Sequence, residues 1–376
     1  MLKKVWTWSC NNKTFFDKIS AVKESVREDK PIYYNAPQGY DQFTWFQEPT
    51  DSWEQVLKDR AEEIRQSSKK LNLLFSGGCD STKMLETFIK NKIHLDEITC
   101  LKYGIPASDL EVTEVAEPYL KSIRSKIPKT KINIKNISII DYKQFYNDPY
   151  WHEKETWANA IRFRLTHQHM ENTVFHQSAT DTVHLLGRDK PHIIHHKGEW
   201  YTYFLDVDIE TNKFLNNSNC VFFYADNEKI HSKQCHMLKK YFEQNFQSEQ
   251  YQTPELISKI DQKYINAGCG RIQSPSHFFI RKETKIEKIF DPTGKQVMIE
   301  GNKDKLAITS LFQDKQFEDL VTKWKLGLEG LESTLSKNWF KKNKSMFGTI
   351  GVFSKFYCLT NPKVSLIDEL FPNGWK

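Results

Sequence analysis

The sequence predicts an α/β protein with a parallel sheet covered by helices on both faces, and with extra α+β segments before and after it. From residue 71 onward, short apolar runs alternate with amphipathic helical patterns, as in strand–helix–strand units. The first apolar run, residues 71–75, ends in a glycine turn from which a helical pattern starts at once. We therefore predict a leading segment (1–67), a sheet-forming core (68–191) and a substrate or accessory region (192–376).

The leading segment and the core have recognisable elements in chain order. Strand and helix patterns alternate in the leading segment at residues 4–9, 15–27, 31–35 and 52–67. Asp51 or Ser52 is suited to cap the second of these helices. In the core, strands and helices alternate at residues 71–75, 82–92, 97–103, 108–126, 131–137, 157–170 and 173–176.

The accessory region is predicted to begin with a β-hairpin. Two apolar runs flank Lys197-Gly198-Glu199, a sequence typical of a tight turn. Further along, the patterns predict a strand, a helix and a last strand at residues 220–224, 227–246 and 351–359.

Composition narrows the setting in which the protein acts. No run approaches the roughly 18 apolar residues of a membrane-spanning helix, and the amino terminus lacks the pattern of a secretory signal. Seven cysteines without a CxxC pair favour a reducing cytoplasm over a disulfide framework or a zinc site. The net charge of +6 favours anionic ligands and is compatible with nucleic acid without requiring it.

The most informative stretch is the turn SGGCDS between the first core strand and its helix. Gly77 and Gly78 permit positive φ and let an anion approach the backbone without meeting a β-carbon. The first N–H groups of the helix have no intrahelical partner, and the helix dipole adds positive charge there. Ser76 and Ser81 can add hydroxyl donors, and Asp80 can hold a magnesium ion. Together these features predict a polyphosphate site.

The pattern SGGxDS after a buried strand resembles the PP-loop of the N-type ATP pyrophosphatases. That superfamily includes the synthetase domains of asparagine, GMP and NAD synthetases, and the 7-cyano-7-deazaguanine synthases. All positions from Ser76 to Ser81 fit, with Cys79 at the position that varies. The resemblance implies an adenine nucleotide alpha-hydrolase-like fold, binding of ATP and Mg²⁺ at this loop, and a catalytic role for Asp80. A turn whose glycines serve only its geometry is the alternative.

A second group of candidates lies in residues 173–190, TVFHQSATDTVHLLGRDK. Asp181 after small residues resembles the asparagine synthetase domain, where a strand ends in an acidic loop, so Asp181 is a candidate metal or substrate ligand. Residues 178–182 lack the glycines and the second acid of that loop, and Asp181 could instead cap a following helix. Arg188 and Lys190 are candidate catalytic cations for the departing pyrophosphate, with a solvated turn as the alternative.

The resemblance implies an AMP-forming ligase. A substrate oxygen attacks the α-phosphate of ATP, pyrophosphate leaves, and an amine or ammonia then displaces AMP. Position 2 is Leu2 and not cysteine, so the amidotransferase domain of asparagine synthetases is not evident in the leading segment. The expected acceptor is a small molecule, with tRNA or another nucleic acid as the alternative.

Two other functions remain open at the level of sequence. A sulfur-transfer enzyme of the same superfamily, similar to adenylylsulfate reductases or tRNA-thiolating enzymes, would need functional cysteines. The later cysteines are scattered along the chain: Cys220, Cys235, Cys269 and Cys358. A non-catalytic nucleotide- or nucleic-acid-binding module would use the basic stretch 337–344.

Overall fold

The structure is a computed structural model that describes residues 6–16, 18–30, 32–102, 109, 111–136, 181–187, 192–196, 198–204, 220–245 and 354–361. Its strands are β1 Thr7–Cys10, β2 Lys13–Phe15, β3 Ile32–Asn35, β4 Lys70–Leu74, β5 Glu97–Lys102, β6 Lys131–Asn136, β7 Thr182–Leu186, β8 His192–His196, β9 Glu199–Tyr203, β10 Cys220–Phe222 and β11 Tyr357–Cys358. Its helices are α1 Lys18–Glu28, α2 Gln38–Gln42, α3 Trp53–Gln66, α4 Cys79–Lys90, α5 Glu117–Ser122 and α6 Glu228–Asn245. Within these ranges, no helix is long and apolar enough to cross a membrane.

Five parallel strands form the central sheet, in the order β10-β7-β4-β5-β6. The α/β class predicted from the sequence is confirmed. The chain places β5 and β6 on one side of β4, and then β7 and β10 on the other side. The strand order therefore reverses between β4 and β7. Ligands of open α/β sheets bind beyond the carboxyl ends of the strands at such a reversal.

One face of the sheet has an apolar centre that packs against helices. Leu71 and Leu73 of β4, Ile98 of β5 and Leu185 of β7 are fully buried there. Their helical partners are Trp53, Val56, Leu57, Ala61, Ile64, Met84, Leu85, Phe88, Leu120 and Ile230. Burying one such aliphatic side chain contributes about 1.5–3 kcal/mol. This shared core fixes the position of α4 against β4, and with it the turn between them.

The opposite face carries a buried polar row across the three central strands. Thr99 Oγ1 donates to Asn72 Oδ1 at 3.0 Å, and the Asn72 amide nitrogen lies 3.2 Å from His184 Nδ1. All three side chains are almost fully buried. Because an amide nitrogen can only donate, Nδ1 must accept, so the imidazole proton is on Nε2. Burial lowers the pKa of His184 to about 4, which keeps the ring neutral at physiological pH.

An aromatic cluster joins the first and last described parts of the chain. β2-β1-β3 and β11-β9-β8 form two antiparallel sheets. The Tyr40 ring lies 5.2 Å from Trp6, 5.8 Å from Trp45 and 5.3 Å from Phe204. Phe204 in turn lies 6.0 Å from Tyr357. Parts of the predicted leading and accessory regions thus share one core, and the boundaries at residues 67 and 191 stay predictions.

Several predicted elements are confirmed with small shifts of their ends. Ser52 caps α3 by accepting a hydrogen bond from Gln55 N at 3.2 Å, as one of the two predicted caps. The hairpin around Gly198 is confirmed, with β8 and β9 paired antiparallel. The helices predicted at residues 52–67, 82–92 and 227–246 correspond to α3, α4 and α6.

Two parts of the core differ from what was predicted. The helix predicted over residues 108–126 is confirmed as helical over residues 111–126, but it is not one regular α-helix: it consists of a π-helical turn Glu111–Ala116, then α5, then a 3₁₀ turn Arg124–Lys126. Pro118 lies in the first turn of α5, where it has no N–H for the carbonyl four residues earlier. β7 was not predicted, because the buried polar His184 interrupts its apolar pattern. The elements predicted at residues 157–170 and 173–176 lie outside the described residues.

Candidate functional site

The SGGCDS turn lies at the carboxyl end of β4, where the strand order of the sheet reverses. β4 ends at Leu74 and α4 begins at Cys79. Gly77 has a φ of +71°, in the left-handed region that glycine adopts without strain. Gly78 occupies the N-cap of α4 and gives no side-chain cap. The start of α4 is therefore built from backbone groups, which is the geometry that binds anions at helix N-termini.

Two serine hydroxyls brace the turn from within. Ser76 Oγ and Ser81 Oγ lie 3.3 Å apart, and Ser81 Oγ donates to Gly78 O at 3.2 Å. Gly78 N donates in return to Ser76 Oγ at 3.3 Å. Ser81 is buried and Ser76 is exposed. Of the two predicted phosphate donors, Ser81 is thus engaged in holding the turn, while Ser76 lies at its surface.

Gly77 is enclosed by the segment that follows β5. A β-carbon at this position would lie 3.1 Å from Val115 Cγ1 and 3.3 Å from Ala116 Cα. Phe75, two residues earlier, stacks on Tyr119 of α5 with the ring centroids 5.9 Å apart. Glycine is therefore needed at position 77 both for its positive φ and for the close packing. The π-helical turn and α5 support the loop on the β5 side.

Gly187, directly after β7, supports the loop on the opposite side. A β-carbon there would lie 3.1 Å from Asp80 C and 3.1 Å from Ser81 N. The chain leaving β7 thus meets the first turn of α4 at backbone contact distance. The sequence alone indicated no role for Gly187. A glycine directly before Arg188 is a pattern that can indicate a close backbone contact. The contact with the loop can be inferred only once β7 is known to lie next to β4.

Tyr224 supports the loop from the turn that follows β10. Its hydroxyl donates to Asp80 O at 2.9 Å, and the side chain is buried. Nothing local in the sequence indicated this contact, because 144 residues separate the two partners. The loop is therefore held by contacts from the segments that follow β5, β7 and β10.

Asp181 lies at the opposite edge of the sheet from this loop. It immediately precedes β7, whose first residue, Thr182, pairs with Lys70 at the amino end of β4. β7 has five residues, which span about 16 Å at 3.3 Å per residue. The predicted placement of Asp181 beyond a carboxyl strand end is wrong, and a strand, not a helix, follows it. The structure does not bring Asp181 to Asp80.

The other predicted site residues fall into two groups. Ser76, Gly77, Gly78, Cys79, Asp80 and Ser81 come together in the loop and the first turn of α4. Arg188 and Lys190 lie outside the described residues, so their roles stay predictions. Arg188 is covalently next to Gly187, which touches the loop.

Two lysines in elements next to the loop are paired with acidic groups. Lys102, the last residue of β5, lies 2.5 Å from Glu117 of α5. Lys83 of α4 lies 3.8 Å from Glu54.

Asp80 is half-exposed at the second position of α4. Within the described ranges, no group of three or more His, Cys, Asp or Glu side chains is arranged to hold a metal ion.

Five cysteines whose side chains the structure describes are buried. They are Cys10, Cys100, Cys220, Cys235 and Cys358, all as free thiols. Burial raises the pKa of Cys100 and of Cys235 to about 12 in each case. The reactive form of cysteine is the thiolate, which these sites disfavour.

Comparisons with known proteins leave the family open. No family model matches the chain. No curated protein matches its sequence. Among solved structures, it is similar to the NH3-dependent NAD synthetase from Campylobacter jejuni subsp. jejuni, determined in complex with the nitrate ion. The two chains are 13% identical, the match covers 69% of this chain and 96% of that chain, and the TM-score is 0.27. A likeness at this level identifies no activity.

Proposed function

We propose that the protein is an ATP-dependent ligase of the PP-loop type, which adenylates a substrate oxygen, releases pyrophosphate and then exchanges AMP for an amine or ammonia. The observation that carries the proposal is the placement of the SGGCDS turn. It joins β4 to α4 at the reversal of strand order, which is where open α/β sheets bind ligands at the start of a helix. The fit of Ser76–Ser81 to the PP-loop pattern is the reason for proposing ATP as the nucleotide and the bond between its α- and β-phosphates as the one that breaks.

In this proposal the polyphosphate lies against the first turn of α4. Backbone N–H groups at the start of a helix are directed out of it, and the helix dipole adds partial positive charge. Gly77 lets the segment after β5 pack against the loop, and Gly187 lets the chain leaving β7 meet the first turn of α4, so the loop is held by close contacts on both sides. Donors fixed in this way stabilise charge that develops in the transition state, since they need no reorganisation at that moment.

Magnesium fits the donor set of this site when it arrives with ATP. Asp80 offers one half-exposed carboxylate in the first turn of α4. Magnesium held with a nucleotide needs only one or two protein carboxylates, because phosphates and water supply the other ligands. When bound, the ion supplies charge neutralisation for the phosphates. Asp80 would hold it directly or through water.

The proposed reaction has two steps. The substrate oxygen attacks the α-phosphorus, and the bond from this phosphorus to the oxygen bridging to the β-phosphate breaks, so pyrophosphate leaves with the electron pair. The amine then attacks the activated carbon, and AMP leaves. Because negative charge collects on the pyrophosphate, cations beside it lower the barrier. We assign that role to Arg188 and Lys190, which come one and three residues after Gly187.

We propose a small molecule as the acceptor and the cytoplasm as the setting. A nucleic-acid acceptor is the alternative, to be decided by experiment, since the basic stretch 337–344 lies outside the described residues. The sulfur-transfer function is less well supported, because Cys220, Cys235 and Cys358 are buried.

The direct test is incubation of the purified chain with α-labelled ATP, magnesium and either fractionated small molecules or tRNA. We expect labelled AMP, together with pyrophosphate, in the fraction that contains the acceptor. Formation of ADP and phosphate, or no turnover in any fraction, would contradict the proposal. Salt-sensitive binding of RNA without pyrophosphate release would favour the nucleic-acid-binding module.

The matched variant is Asp80→Asn, which keeps the shape of the side chain and removes its charge. We expect AMP formation to fall about 100-fold or more, because the metal–phosphate complex loses its protein carboxylate. The midpoint temperature of thermal unfolding should change little, since Asp80 is half-exposed. Unchanged turnover in this variant would remove Asp80 from the proposed site.

A further inference from the structure

The peptide unit between Asp80 and Ser81 is held from two directions. Its carbonyl oxygen accepts a hydrogen bond from the Tyr224 hydroxyl at 2.9 Å. Its carbon and nitrogen lie against Gly187, where a β-carbon would approach each to 3.1 Å. The peptide is planar, so fixing the Asp80 oxygen also fixes the direction of the Ser81 N–H. That N–H is the third of α4, one of the amides that a helix start offers to an anion.

We propose that Tyr224 is a positioning residue for the phosphate-binding amides, which acts through the Asp80–Ser81 peptide. The inference rests on the proposed function, in which these amides contact the polyphosphate. It gives the predicted accessory region a direct part in the site, although Tyr224 itself touches no reacting atom.

Tyr224 is well fixed for this purpose. The side chain is only 3% exposed. Its ring lies 5.1 Å from that of Phe223, edge to face, and the Phe223 ring lies 6.3 Å from Phe88 of α4. A buried aromatic ring packed in this way has few alternative rotamers. The hydroxyl is therefore presented to Asp80 O in one orientation.

The turn that carries Tyr224 is itself anchored at several points. The buried Arg60 donates from Nε to Phe223 O at 3.3 Å. Tyr40 donates its hydroxyl to Ala225 O. Asp226 Oδ2 accepts a hydrogen bond from Phe222 N, at the end of β10, at 2.8 Å. Through Tyr224, the position of the loop thus depends on α3 and on the aromatic cluster around Tyr40.

The test compares Tyr224→Phe with the matched control Tyr357→Phe in the full-length chain. Tyr357 is also buried, and it also donates one hydrogen bond, to Asp41 Oδ1 at 2.9 Å. Each variant loses a single hydroxyl, so a general loss of stability should be similar in both. We expect kcat/KM for ATP to fall about 2- to 10-fold in Tyr224→Phe, the equivalent of one net hydrogen bond. Tyr357→Phe should stay within about 2-fold of the unmodified chain.

Product inhibition gives a readout that stability alone would not move. Because the fixed amides contact the pyrophosphate part of ATP, the inhibition constant for pyrophosphate should rise by the same factor in Tyr224→Phe. Inhibition by AMP should not change. If the unmodified chain is active and Tyr224→Phe retains its kcat/KM and its pyrophosphate inhibition, the proposal is overturned.

Amide hydrogen exchange separates this inference from the proposed function. It is measured without nucleotide, over residues 79–82, in the unmodified chain and both variants. If the unmodified chain turns over no ATP, the proposed function fails, and exchange decides the positioning. Faster exchange at residues 79–82 in Tyr224→Phe alone then supports the positioning of this peptide. Equal exchange in all three proteins then overturns it.

Discussion

The two edges of the parallel sheet are built from different chemistry. At the carboxyl edge, Gly77 and Gly187 let backbone segments meet at contact distance around the start of α4. At the amino edge, charged side chains close the structure. Asp96 accepts from Arg65 at 2.7 Å and from Leu71 N at 2.8 Å. One edge is therefore organised around backbone groups, and the other around a neutralised pair of charges.

This difference indicates which substitutions should change activity and which should change stability alone. Arg65 also donates to Ser68 O at 2.5 Å and to Lys69 O at 2.6 Å, so its guanidinium is used to tie the end of α3 to the start of β4. Carbonyl groups bonded in this way are not available to a ligand. We expect substitutions at the amino edge to change stability alone, and substitutions at the carboxyl edge to change chemistry first.

The largest expected effect comes from Gly77→Ala at the carboxyl edge. The new β-carbon would lie 3.3 Å from Ala116 Cα, and the φ of +71° is unfavourable for alanine. We expect a loss of about 1–2 kcal/mol of stability from the backbone conformation. Displacing the loop should lower AMP formation about 100-fold, because phosphate contacts depend on sub-ångström placement. Steady-state kinetics and thermal unfolding measure the two effects.

The control for this variant is Gly198→Ala in the hairpin turn. Gly198 also has a positive φ, +84°, but a β-carbon there would meet nothing within 4 Å. It should cost a similar amount of stability and leave AMP formation unchanged. Equal losses of activity in both variants would mean that general destabilisation, and not the loop, explains the first result.

The second prediction concerns acid sensitivity in the centre of the sheet, between the two edges. The folded pKa of His184 is about 4, below the usual value of about 6.5, so the unfolded chain binds more protons between these values. The contribution of neutral His184 to the free energy of unfolding is therefore fully present above pH 6.5. It is lost progressively as the pH drops toward 4, by up to about 3 kcal/mol. Denaturant unfolding at several pH values measures this slope.

His184→Gln serves as the comparison, since glutamine does not titrate and its amide can still meet Asn72. Its stability should be lower at neutral pH but nearly flat between pH 6.5 and 4. If the unmodified chain shows no loss in that window, or if His184→Gln shows the same loss, the polar row is not a source of acid sensitivity.

How much could be predicted from the sequence depends on how local each feature is. The strand, the SGGCDS turn and α4 are contiguous, so their pattern predicted the fold class and the loop. Gly187 and Tyr224 reach the loop only because β7 pairs with β4 and β10 pairs with β7, and no local pattern encodes these pairings. β7 escaped notice because its buried polar residue is satisfied by Asn72 of the neighbouring strand, a tertiary contact that periodicity does not reveal.

The third prediction tests the amino edge through Asp96→Ala. Although partial burial opposes it, the hydrogen bonds from Arg65 and Leu71 N lower the pKa of Asp96. The carboxylate thus contributes stability above its unfolded pKa of about 3.9, and this contribution is lost as the pH falls through the lower folded value. Removing it should cost about 1–2 kcal/mol at neutral pH, because Leu71 N and Arg65 lose their acceptor. AMP formation should stay unchanged.

Its control is Glu62→Ala, which removes an exposed pair with Lys58 at 3.7 Å and should cost less than about 0.5 kcal/mol. A drop in kcat/KM for ATP in Asp96→Ala, with the chain still folded, would contradict the expectation that the amino edge affects stability alone.

The smallest effect is expected from Asp181→Asn, and it sharpens the comparison because it repeats the Asp80→Asn change at the other edge. Asp181 precedes the amino end of β7, about 16 Å of strand from the loop. Steady-state kinetics should therefore show kcat/KM for ATP within about 2-fold of the unmodified chain. A 10-fold loss in a folded Asp181→Asn protein would mean that the amino edge takes part in catalysis, and that the carboxyl edge alone does not define the site.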